Sequence, residues 1–154
     1  MSDPGEHTLD AVRRQREGVR SALGELERAL AAPAAGRTKE WRAGVHDRIA
    51  ALRLAWANHV TVTEAGGGLF EQVVTQAPRL DPQVQRLRKE HLTVDDALAG
   101  LARRLDDAPV ADDEDETAEL SELTLDVMGR IVRHRHRGAG LLYEAYCVDI
   151  DAGD

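Results

Sequence analysis

Three histidines, His59, His91 and His134, each stand where an amphipathic helix pattern calls for a core residue. Neutral imidazole is the commonest transition-metal ligand, and helical bundle cores are a recurrent place to build such sites. His59 lies in the run Trp56-Ala-Asn-His59-Val-Thr-Val-Thr-Glu64-Ala-Gly-Gly-Gly68, which ends a long helical pattern in three glycines. Two carboxylates are candidates to join the histidines. Asp95 follows His91 by four residues, on the same helix face one turn further along. Glu64 follows His59 by five, about 140° round a regular helix, and turns inward if the glycine run lets the last turn unwind or bulge. Glu144 lies ten residues beyond His134, too far along a straight helix to share its metal, and suits a supporting or end-capping contact.

Four helices must position these side chains, approximately 8–30, 38–64, 82–106 and 116–146. Apolar residues recur at alternating steps of three and four, the seam of a bundle. The seams read Leu9, Val12, Arg16, Val19, Leu23, Leu26, Leu30; then Trp41, Val45, Ile49, Leu52, Trp56, His59, Thr63. Next come Val84, Leu87, His91, Val94, Leu98, Leu101, Leu105, and last Leu120, Leu123, Val127, Ile131, His134, Gly138, Leu141, Ala145. Arg16 interrupts the first seam, either as a side chain snorkelling from its edge or as the partner of a carboxylate near the histidines. Asp81-Pro82 is a helix start signal, with Asp as N-cap. Leu69 to Val74 suits a short helical cap between helices two and three. In an up-down-up-down arrangement the histidines lie about 20, 16 and 19 residues from one end of the bundle, level to within about 6 Å. Their ring nitrogens should then approach within about 5 to 8 Å.

Composition sets the class. The 154 residues suit a single domain, 1–154, and 42% hydrophobic content suffices for a core. Sustained alternating runs of β-branched and aromatic residues are absent, so the fold class is all-α. A net charge of -8 disfavours nucleic acid as a partner. A lone cysteine, Cys147, fits a reducing compartment, and no apolar run is long enough to cross a membrane, so a cytoplasmic location is expected. His7 and His46 read as surface residues, and Arg133-His-Arg-His-Arg137 as a solvated or acid-paired basic face.

This pattern resembles the hemerythrin-like, HHE cation-binding family. The likeness runs from Trp41 to about Ile150. It rests on His59-Val-Thr-Val-Thr-Glu64 with Gly68-Leu-Phe, on Leu87-Arg-Lys-Glu-His91, and on His134 through Glu144 to Asp149. The resemblance implies a four-helix bundle holding non-heme iron, mononuclear or di-iron, with His59, Glu64, His91 and His134 as ligands. It also implies dioxygen, peroxide or nitric oxide binding, sensing or redox chemistry. The chain departs from the family pattern at Thr63, at Asp95 and at Gly138-Ala-Gly140, where ligands usually stand. Two other readings stay open. One is a metal-free bundle serving as an interaction module, in which case no metal is bound. The other is an organic-ligand pocket lined by the histidines with Trp41, Trp56 and Arg16. A homodimer is compatible with either.

Overall fold

The computed structural model describes residues 4–107 and 113–148. Four long helices carry the fold: α1 (Pro4–Ala31), α2 (Thr38–Glu64), α4 (Asp81–Asp106) and α5 (Glu114–Tyr143). A short helix, α3 (Leu69–Gln76), and one 3-10 turn (Pro78–Leu80) link α2 to α4, and a π-helical turn (Glu144–Val148) follows α5. No strand occurs among the described residues. The expected all-α, up-down-up-down bundle with a helical segment between its second and third long helices is therefore present. The middle of the acidic connector and the end of the C-terminal tail lie outside the described residues.

Helix bounds differ from the sequence expectation mainly at the starts. The first helix begins at Pro4, ahead of Thr8, with Glu6 in its first turn. Asp81 is not the N-cap of α4. Leu80 holds that position without a side-chain cap, while Asp81 enters the first turn and accepts a hydrogen bond from Gln85. The 3-10 turn feeds directly into the helix, so Asp81 already has helical dihedrals and cannot cap. Helix α5 does have a side-chain cap: the Asp113 carboxylate accepts from the backbone N–H groups of Asp115 and Glu116.

The long helices pack in sequence, α1 on α2, α2 on α4 and α4 on α5, and the seam between α1 and α5 is much the loosest. Their inward faces form two apolar clusters. The larger holds Leu26, Ile49, Leu52, Leu98 and Ile131. The smaller gathers Val12, Phe70, Val73, Leu87 and Leu141 under α3. The three histidines fall between these clusters along the chain: after Trp56 and before Leu69 at the start of α3, after Leu87 and before Val94, after Ile131 and before Leu141. One seam position differs. Leu123 is 40% exposed and Thr124 takes the inward place. The Thr124 hydroxyl donates to the Leu120 carbonyl at 2.7 Å, so a polar side chain sits in the core without an unmet hydrogen bond.

The glycine run turns the chain from α2 into α3. Gly67 has φ +73°, in the left-handed region. A Cβ on Gly68 would lie 2.7 Å from the Ala65 carbonyl oxygen and 2.8 Å from that of Val62. This tight turn folds α3 back over the open end of the bundle and brings Phe70 against the histidines.

Candidate metal centre

His59 comes from the last turns of α2, His91 from the first half of α4 and His134 from the second half of α5. All three are buried. The Nε2 atom of His134 lies 3.3 Å from Nε2 of His59 and 3.1 Å from Nε2 of His91. One nitrogen from each ring falls within 4.8 Å of the others. The convergence is therefore tighter than the 5 to 8 Å expected. The rings meet at one point instead of surrounding a water cluster.

Aromatic walls set the ring orientations. The Trp56 ring, 1% exposed, has its centroid 5.1 Å from those of His59 and His134 and 5.5 Å from that of His91. Its indole N–H is committed to the His91 carbonyl at 3.4 Å, so it presents carbon to the histidines. Phe70 stacks on His91 at 5.5 Å, with the Arg88 guanidinium 5.3 Å above its outer face.

The outer nitrogens show which lone pairs point inward. Nδ1 of His91 is 2.8 Å from Oε1 of Glu64. An ionised carboxylate only accepts, so this Nδ1 carries the proton and Nε2 of His91 presents a lone pair to the centre. A carboxylate behind a ligating imidazole is the usual arrangement for fixing the ring and raising its basicity. Nδ1 of His134 is buried without a hydrogen-bond partner, with the nearest Glu90 carboxylate oxygen 3.6 Å away. Glu90 is engaged by the Nε–H of Arg137 at 2.6 Å and 3.0 Å.

Protonation does not resolve the contact. Burial, and then the neighbouring histidines His91 and His134, push the His59 pKa down to about 3. Burial, followed by His91, pushes His134 to about 4, against the pull of Glu90. His91 is also lowered by burial, with Glu64 opposing. At neutral pH three neutral imidazoles thus face one another. Each Nε2 is then either a donor or an acceptor, and the most the three can do for each other is to share one N–H, that of His134, between the lone pairs of His59 and His91. A cation accepting three lone pairs satisfies them together, and the donor set fits a transition metal.

The structure places the sequence candidates as follows. His59, His91 and His134 form the cluster. Glu64 stands behind His91 and outside the three-nitrogen group. The α2 helix stays regular through Glu64, so no unwinding or bulge brings it inward; it reaches the outer edge of His91 from where it stands. Asp95 is exposed. Val94 takes the inward position three residues after His91, which leaves Asp95 turned off the seam. Arg16 lines the neighbouring cavity and has no carboxylate partner among the described residues, which corrects the buried-pair reading. Glu144 belongs to an end contact, 3.9 Å from Arg79. His7 and His136 are exposed, and His46 pairs with Asp106 at 2.9 Å. Sequence reasoning missed Glu90. Its position beside His91, level with Arg137 one turn beyond His134, was the available signal.

A cavity of about 30 Å³ opens beside the cluster, room for one or two water-sized molecules. His59, His134, Gly138, Phe70, Arg16 and Arg135 are among its walls. A Cβ built on Gly138 meets nothing within 4 Å, so the missing side chain contributes directly to this space. A family model, the hemerythrin HHE cation-binding domain, matches residues 7–144. Neither the curated proteins nor the solved structures contain a match to the chain.

Proposed function

The chain belongs to the hemerythrin HHE cation-binding family, and on that premise we propose that His59, His91 and His134 together hold one transition-metal ion, iron(II) first among the candidates. Support comes above all from the three Nε2 atoms, which converge at 3.1 and 3.3 Å with the far side of His91 tied to Glu64. Three protein ligands are the number found where a metal keeps a position free for chemistry. Within the described residues no fourth His, Cys, Asp or Glu joins the group, so the donor set suits one ion and not a pair.

The cavity beside Gly138 gives such a site an approach for a small molecule such as dioxygen, peroxide or nitric oxide. Iron held there supplies a redox-active coordination position. The chain's own contribution is orientation and exclusion. Glu64 keeps the proton on Nδ1 of His91 and so keeps its Nε2 lone pair directed inward. Trp56 and Phe70 shield the rings from bulk water. The reading is sensing or redox chemistry on a small ligand.

Metal content after expression with iron supplied, and after anaerobic loading of stripped protein with iron(II), manganese(II) or zinc(II), tests this. One ion per chain is expected, lost on His91→Ala and weakened about 10- to 100-fold by Glu64→Gln, the usual effect of removing a carboxylate behind a ligand. Protein that takes up no metal, or equal metal in His91→Ala, overturns the proposal.

A further inference from the structure

The cleft between α1 and α5 carries a second, unassigned feature. Arg16 from α1 and Arg135 from α5 both line the cavity that reaches His59 and His134. Neither makes a hydrogen bond or an ion pair among the described residues. Arg135 has its Nε atom buried and unpartnered. Elsewhere the chain pairs its arginines readily, as in Arg42 with Glu116, Arg48 with Glu25, Arg104 with Glu119 and Arg137 with Glu90. With a net charge of -8 it has carboxylates to spare. Two guanidinium groups brought to one apolar cleft without a counter-charge are costly to fold, because like charges repel and the buried donor has given up its water.

We propose that this cleft binds a small planar monoanion of the formate or nitrite type between Arg16 and Arg135. Guanidinium donors lie in a rigid plane that matches two oxygens of such an anion in parallel hydrogen bonds. Apart from His59, Thr63 and His134 the other walls, Val12, Leu69, Leu141 and Leu142 among them, are apolar and disfavour strongly hydrated, multiply charged ions. The small volume, to which the bare Gly138 contributes, limits the guest to a few heavy atoms.

The site goes beyond metal binding and does not rest on it, so metal-free protein is the sample. Formate and nitrite are titrated into it at constant ionic strength, with sulfate as the comparison. The thermal midpoint and the Arg Nε–Hε resonances are followed. Formate and nitrite should raise the midpoint and shift the Arg135 resonance, and sulfate should do neither. Arg16→Gln and Arg135→Gln should each weaken formate binding at least tenfold. Arg133→Gln, an exposed change on the same helix, should leave it unaltered. Both cleft variants remove a repulsion and keep a hydrogen-bonding side chain, and circular dichroism verifies that they are folded. Formate acting no differently from sulfate, or binding equally well to folded Arg16→Gln and Arg135→Gln, overturns the proposal. Failure to bind metal leaves this result unaffected, and failure to bind formate leaves the metal reading unaffected.

Discussion

The bundle buries polar groups at both ends, and the two ends treat them differently. At one end Arg42 is buried on α2. Its Nη1 donates to Glu116 at 2.9 Å, and its Nη2 reaches the carbonyls of Arg104, Leu105 and Asp107 at 3.2 to 3.5 Å. One side chain thus joins the end of α4 to the start of α5 and satisfies carbonyls that a helix end leaves open. At the other end three imidazoles converge with at most one N–H to share among their facing nitrogens, and Nδ1 of His134 and Nε of Arg135 are unpartnered nearby. A buried polar group completed by its own chain contributes to the fold. One left incomplete costs stability, and its persistence points to something outside the chain.

The largest way to separate the two ends is acid. Folded His59 and His134 have pKa values near 3 and 4, below the ordinary 6.5. The unfolded chain therefore takes up protons first as pH falls. The stability lost should be on the order of 1 kcal/mol per pH unit for each histidine, beginning near pH 6.5 and continuing to about pH 4. Urea unfolding of metal-free protein between pH 7.5 and 4.5 measures it. His59→Gln with His134→Gln should flatten the dependence, whereas Arg42→Met should leave the slope alone. An unchanged slope in the double histidine variant would mean that the acid sensitivity lies elsewhere.

Next in size is Arg42→Ala. It leaves Glu116 and the α4 carbonyls without their donor and should cost about 3 kcal/mol by denaturant unfolding. Metal uptake at the far end should be retained in the folded fraction. A loss below ~0.5 kcal/mol would show that water replaces the guanidinium freely, and the contrast between the ends would lose one side.

The smallest effect is the most pointed. Gly138→Ala places a methyl group where nothing lies within 4 Å, so it should stabilise by up to about 1 kcal/mol through helix propensity. Gly138→Leu should leave helix content intact or raised, and fill the cavity. In metal-loaded protein it should then weaken azide binding, read by absorption titration. If Gly138→Leu binds azide like the parent, the cavity is not the route to the site.

The bundle and its histidine layer were legible because both follow from period. Apolar spacing of three and four fixes the inward face of each helix, and antiparallel chain direction then brings His59, His91 and His134 level. What period cannot register is a polar side chain that satisfies itself or finds a distant partner. Thr124 is buried because its hydroxyl bonds to Leu120, and Leu123 is left outside as a result. Arg42 is buried because the end of α4 and the start of α5 supply its acceptors. Glu90 matters through Arg137, across a helix interface. Asp95 has the right spacing from His91 to look like a ligand, yet lies off the seam. Glu64 has the wrong spacing for its own helix and reaches the right ring on another.

Trp56 has a further consequence. It is one of two tryptophans in the chain, packed against all three imidazoles, while Trp41 sits fifteen residues earlier on the same helix, about 22 Å away along its axis. Trp41 donates its indole N–H to Leu30 and adjoins Arg42 at the opposite end. The molecule therefore carries a fluorophore in each of its two environments. An open-shell ion or a protonated imidazole in van der Waals reach of Trp56 quenches its emission directly, while Trp41 is too distant for contact quenching. With Trp41 replaced by phenylalanine, the remaining fluorescence becomes an optical gauge of the histidine layer alone.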